Sequence, residues 1–261
     1  MCGIIGYIGN RNAVPILLDS LKKLEYRGYD SCGFAIINDK KEIEIKKGAG
    51  RIDFVNKRTN FELLKSFIGI AHTRWATHGK VEDNNAHPFI SCDGEYALIH
   101  NGIVENYFEL KNKLQKKGHK FQSETDTEVL VHLIEDKMKQ NLDKNVIGVI
   151  REVSNEVKGA FTFLLLDRNS NEIYAFRKDS PLIIGLGKEE FFAASDITAF
   201  LQYTNKALIL ENNQLAILNK NCNVFDIAKG KQIQPEIITI NWSPEQATKN
   251  GYPHFMLKEI F

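Results

Sequence analysis

The chain is short of cysteine and has no long apolar run and no excess of either charge. Four cysteines in 261 residues, Cys2, Cys32, Cys92 and Cys222, are widely scattered with no C-x-x-C pair. That argues against a disulfide scaffold and for a reducing, cytoplasmic setting. No apolar stretch approaches the roughly 18–20 residues that a bilayer-crossing helix needs, so no membrane association is expected. The beginning of the sequence has no basic segment followed by an apolar one, so no secretory signal is expected. The formal net charge is +1, which argues against a nucleic-acid binder that works by bulk charge.

What remains is ordinary globular composition, 43% hydrophobic and 26% charged, enough for one large or two small domains with a buried core. Residues 2–8 read as a buried strand. Residues 12–26 place Val14, Leu17, Leu18, Leu21 and Leu24 at helical spacing, with Pro15 tolerated in the first turn and Gly28 as the stop. Strands are expected at 33–37, 42–46, 68–74 and 96–100. Helices are expected at 61–67, 103–117, 127–139 and 146–157. Beyond Gly159 short strands dominate, at 160–167, 172–177, 182–184, 191–194, 207–210, 214–218 and 223–227, with a short helix at 196–203. Strands joined by hairpin-length loops, with helices grouped, indicate antiparallel sheets in an α+β architecture. The Gly48–Gly50 and Gly185–Gly187 segments lack the rest of a phosphate loop and read as hairpin turns.

Chemistry is suggested first by Cys2. Once the initiator methionine is trimmed, this residue carries a thiol and a free α-amine, whose pKa is about 7.7–8.0. A thiol is a good nucleophile that is mostly protonated at neutral pH, so one residue supplies both attacker and base. A buried strand-end cysteine is the plain alternative. His72, His78, His87 and His100 cluster in sequence, but their spacings match no common zinc pattern and no cysteine lies close by to complete one. No metal and no cofactor are expected.

Six segments carry a resemblance. Met1-Cys2-Gly3-Ile4-Ile5-Gly6-Tyr7 resembles the start of the class II glutamine amidotransferases, which are N-terminal-nucleophile hydrolases. Leu24-Glu25-Tyr26-Arg27-Gly28-Tyr29-Asp30-Ser31, His72-Thr73-Arg74-Trp75-Ala76-Thr77-His78-Gly79, Asn85-Ala86-His87-Pro88, His100-Asn101-Gly102-Ile103-Val104-Glu105-Asn106 and Ser123-Glu124-Thr125-Asp126-Thr127-Glu128 resemble the glutaminase domains of the glutamine–fructose-6-phosphate aminotransferase family. The six occur in register through the first half of the chain.

The resemblance implies a four-layer αββα sandwich and hydrolysis of L-glutamine at Cys2. It implies that Asn101 and Gly102 form the oxyanion hole, although Asn-Gly alone is also a hairpin signal. Arg74 would take the substrate carboxylate with its planar fork of donors, or make a strand-end ion pair. Asp126 would take the substrate ammonium, or serve as a helix N-cap. Thr77, His78 and Gly79 would line the substrate turn. Trp75 would gate an ammonia channel, or pack in the core. Arg27, Gly28 and His87 are supporting residues. Residues 1–242 would form the glutaminase domain, and 243–261 the start of a linker to a sugar-phosphate isomerase domain in a longer parent protein that forms a homodimer.

Overall fold

A computed structural model describes residues 2–141, 143 and 145–241. Met1, whose removal the argument for Cys2 invokes, and the expected linker at 243–261 lie outside the described residues. The chain opens with β1 (Gly3–Ile8), α1 (Ala13–Leu24), β2 (Ser31–Ile37), β3 (Ile43–Ala49), α2 (Ile52–Thr59) and β4 (Ile68–Arg74). It continues through β5 (Phe89–Ile90), β6 (Tyr96–Gly102), α3 (Tyr107–Lys116), α4 (Glu128–Gln140) and α5 (Val146–Glu156). The remainder is strand: β7 (Phe161–Asp167), β8 (Glu172–Lys178), β9 (Ile183–Leu186), β10 (Phe191–Ala194), β11 (Lys206–Ile209), β12 (Gln214–Leu218), β13 (Cys222–Asp226), β14 (Lys231–Ile233) and β15 (Ile238–Thr239).

The strands form two antiparallel sheets, ordered β15-β11-β9-β10-β1-β4-β2-β3 and β14-β13-β12-β8-β7-β6-β5. Period-two alternation explains why both are buried on both faces. In β1, Ile4 and Ile8 enter the core between the sheets, whereas Ile5 and Tyr7 pack outward with Leu17 and Leu21 of α1. In β7, Leu164 and Leu166 face inward, and Phe161, Phe163 and Leu165 face outward onto α4 and α5. The result is the expected αββα sandwich. Gly6 sits where a Cβ would come within 2.8 Å of Leu164 Cδ1, so the sheets meet there only because the side chain is missing.

Several local expectations are corrected. The helix expected at 61–67 is a single 3₁₀ turn, Phe61–Leu63, after Asn60 enters the left-handed region. The true helix, α2, precedes it and buries only Ile52 and Val55, too weak a pattern to stand out. The helix expected at 196–203 is likewise one 3₁₀ turn, Ile197–Ala199. Helix α3 starts four residues late because the preceding amides are already engaged. Ile103 N–H donates to Ala160 O, Val104 N–H to Asp126 and Glu105 N–H to Lys158 O. Gly48 ends a strand and Gly50 leads into α2, so that segment is no hairpin turn. Gly187 does close the β9–β10 hairpin, its N–H donating to Glu190 O.

Candidate active site

The register of the first sheet places Cys2. Strands β1 and β4 run antiparallel with Gly3 opposite Thr73, so the chain before β1 lies beside the chain after β4. There the Trp75 N–H donates to Cys2 Sγ at 3.1 Å. Burial raises the Cys2 thiol pKa, and the Trp75 amide and the Arg74 guanidinium pull it back only in part. The second sheet supplies Asn101, near the end of β6, whose Nδ2 donates to Cys2 O at 2.9 Å. Asp126 precedes α4 and accepts the Val104 N–H at 2.8 Å. The N-cap position belongs to Thr127, so Asp126 is not a cap.

These groups surround a cavity of about 260 Å³, smaller than the roughly 300–1,000 Å³ typical of drug-sized ligands. Cys2, Arg74, Trp75, Thr77, His87, Asn101, Gly102 and Asp126 all line it. So do His100, which the sequence offered only as a metal-ligand candidate, and Ile103, Thr125, Thr127 and Ser180, which it did not single out. Asn101 and Gly102 are not a hairpin turn. They lie in β6, paired with Thr162 and Phe161 of β7. Gly102 has φ +129°, and a Cβ there would meet Ala160 O at 2.0 Å, so no other residue fits.

Arg74 is buried, and its guanidinium donates to the carbonyls of His78 and Lys80. Two of its five N–H groups are thereby used, and three are left for a ligand. His78 and Gly79 do not line the cavity. The His78 ring lies near Thr77 Oγ1 and against Tyr107, so its contribution to the site is its carbonyl. Gly79 packs on Asn85 and Glu124. The Lys80 N–H donates to Glu124 and the Glu124 N–H to Asn85, tying the turn after β4 to the turn before α4. Arg27 pairs with Asp196 at 3.4 Å, away from the cavity lining. Gly28 packs on the Arg74–Trp75 peptide, where a Cβ would meet backbone at 2.6 Å. Trp75 is no core residue: it is 48% exposed and meets Tyr29 edge-on.

Two buried histidines, His87 and His100, line the cavity, and a third, His72, is buried beside them. His72 and His87 stack at 4.0 Å. Burial holds His72 down at about 3, His100 at about 4, and His87 well below the usual imidazole value. All three are therefore neutral near pH 7. His72 Nε2 faces two oxygens, His100 O and Asn101 Oδ1, so this nitrogen carries the proton. That fixes the Asn101 amide with Nδ2 toward Cys2. The sequence offered this residue only as a metal-ligand candidate and as the first of its His72–Gly79 segment.

Residues 72–202, half of the chain, match the family described as the glutamine amidotransferase domain. The chain belongs to that family. It is similar to longer proteins. It is 49% identical to a glutamine–fructose-6-phosphate aminotransferase (isomerizing) of Methanococcus maripaludis, over 100% of this chain and 44% of the relative. It is 50% identical to the one of Pyrococcus horikoshii, again over 100% and 44%. The chain thus spans less than half the length of these relatives. Among solved structures, a glutamine phosphoribosylpyrophosphate amidotransferase of B. subtilis shares the fold with a TM-score of 0.74 and 28% identity, over 87% of this chain and 49% of that one. The glutamine amidotransferase domain is therefore an α+β sandwich by neighbour as well as by layering.

Proposed function

We propose that the chain hydrolyses L-glutamine to glutamate and ammonia through a Cys2 thioester. The observation that carries this is the placing of Cys2 Sγ, Arg74, Asn101 and Asp126 around one small cavity. Arg74 takes the substrate α-carboxylate with its remaining donors, and Asp126 takes the α-ammonium. The side-chain carboxamide then lies toward Cys2.

The α-amine of Cys2, free once Met1 is removed, accepts the thiol proton, directly or through water. The sulfur attacks the carboxamide carbon, an S–C bond forms, and the carbonyl oxygen becomes an oxyanion. Asn101 Nδ2 has a second N–H beyond the one held by Cys2 O. That N–H and the backbone N–H of Gly102 stabilise the oxyanion. The protonated amine returns its proton to the leaving nitrogen as the C–N bond breaks and ammonia departs. Water, activated by the same amine, then cleaves the S–C bond and releases glutamate.

In the longer parent protein, ammonia passes to a sugar-phosphate isomerase domain that converts fructose 6-phosphate to glucosamine 6-phosphate. Trp75 stands at the rim as the gate of that passage. A homodimer of the parent and a cytoplasmic location belong to the same reading, the latter supported by four free cysteines. Identities of 43–50% to the sugar-linked aminotransferases over the whole chain favour this reading over an amidophosphoribosyltransferase. The ionisable, cavity-facing sulfur favours an enzyme over a module that only holds glutamine. The test is glutamate release by wild type and Cys2→Ala. Activity in the wild type and none above background in the variant is expected; equal rates would remove Cys2 from the mechanism.

A further inference from the structure

Apart from that cavity, four side chains converge from three segments. Cys92 comes from the turn between β5 and β6. His119 follows the end of α3, where Gly118, with φ +94°, turns the chain. His132 and Glu135 lie three residues apart on one face of α4. Their ligand atoms, Cys92 Sγ, a nitrogen from each histidine and a Glu135 oxygen, all lie within 4.8 Å of one another.

The individual distances are those of a coordination shell. Cys92 Sγ is 3.6 Å from His132 Nδ1 and 3.8 Å from His119 Nδ1. Glu135 Oε2 is 3.2 Å from His132 Nδ1 and 3.3 Å from His119 Nδ1. Around tetrahedral zinc, ordinary bond lengths put sulfur about 3.6 Å from nitrogen and nitrogen about 3.4 Å from oxygen. Direct hydrogen bonding explains the cluster poorly. Each Nδ1 has at most one proton, yet each faces both the sulfur and the carboxylate.

The outer groups fit as well. His132 Nε2 faces Glu128 at 3.6 Å, and His119 Nε2 faces Asp136 at 3.8 Å, each just beyond hydrogen-bond distance but on the side from which a carboxylate orients a metal-bound histidine. The Lys120 N–H donates to Cys92 Sγ at 3.4 Å. Lys139 occupies Glu135 Oε1 at 2.6 Å, so the single ligand oxygen is Oε2, which also accepts the Cys92 N–H at 2.8 Å.

We propose that Cys92, His119, His132 and Glu135 bind a structural zinc ion. A thiolate and a carboxylate balance its two charges, and a full set of four protein ligands leaves no open position for catalysis. The absence of metal expected from the sequence weighed His72, His78, His87 and His100. The four ligands found here span 44 positions with no recognisable spacing, so only the fold reveals them. The ion would pin the stretch before α4. Glu128, the outer partner of His132, also accepts the amide N–H groups of Gln122 and Ser123, at 2.8 and 2.7 Å, in the stretch that leads to Asp126.

The test uses the full chain and zinc or cobalt(II) as probe. Because Cys2 with its free amine is itself a chelator, Cys2→Ala is the reference protein. It should retain one zinc per chain by mass spectrometry, and its cobalt form should show a thiolate-to-cobalt charge-transfer band. Adding Cys92→Ser should abolish the band and weaken zinc binding at least tenfold, and His119→Gln should weaken binding likewise while any bound cobalt keeps the thiolate band. Glu128→Gln should weaken it roughly 10–100-fold while keeping the band. A Cys2→Ala chain that takes up no stoichiometric zinc, or a Cys92→Ser chain that binds it as tightly, overturns the proposal.

Discussion

His72 Nε2 lies 3.2 Å from Asn101 Oδ1, and through that contact a residue of the first sheet orients an amide of the second. The ring is fully buried and stacked on His87, so it has no freedom to release the amide. His72→Leu should therefore lower kcat about tenfold or more with little change in KM. It should stay short of the roughly 10²–10³-fold loss expected for Asn101→Ala, which removes an oxyanion donor outright. Steady-state glutaminase kinetics of both variants check this. A His72→Leu defect confined to KM would show that the histidine does not act through Asn101.

Arg74→Lys keeps the charge and loses the fork. A single ammonium cannot satisfy the His78 and Lys80 carbonyls and still offer a paired contact to a carboxylate. KM for glutamine should rise at least tenfold, with the loss concentrated in kcat/KM. Activity on an amide lacking the α-carboxylate should fall far less.

Gly28→Ala tests the backing of the nucleophile. The added methyl would meet the Arg74–Trp75 backbone at 2.6 Å, and that peptide carries the N–H that holds Cys2 Sγ. Overpacking of this kind costs about 1–3 kcal/mol. A lowered Tm together with a reduced kcat is expected, and an unchanged Tm would mean that the loop simply moves aside.

Acid should loosen the fold before most carboxylates titrate. His72, His87 and His100 have depressed values in the folded chain and about 6.5 when unfolded, so below pH 6.5 the unfolded chain binds more protons. Stability is complete above that pH and declines as pH falls toward 4, by up to about 1.4 kcal/mol per pH unit for each histidine. Tm measured from pH 7.5 to pH 4.5 should drop from about pH 6.5 downward. A flat profile to pH 5 would contradict the burial of these rings.

Supplied with glutamine and fructose 6-phosphate, the 261-residue chain should release glutamate and form no glucosamine 6-phosphate. Appearance of the amino sugar in the product would contradict this.

The strands were legible because each is a dense apolar run. β4 and β10 lie where their patterns put them, and β7 only one residue off. β5, β14 and β15 were not, being two or three residues long and held by neighbours rather than by their own composition. In the site, Cys2, Arg74, Asn101, Gly102 and Asp126 were readable because unusual residues recur in recognisable segments. Ser180 was not singled out, and His100 was weighed only as a metal ligand, since their place on the cavity wall depends on how two sheets stack. His78, expected to line the substrate turn, stays off the cavity wall and meets Arg74 through its carbonyl.

Trp75 touches the sulfur only through its main chain, while its indole stands half in solvent. Replacing the ring therefore leaves the grip on the nucleophile intact. The rim of the cavity can be reshaped by substitution at this one position while the amide that holds the sulfur stays in place.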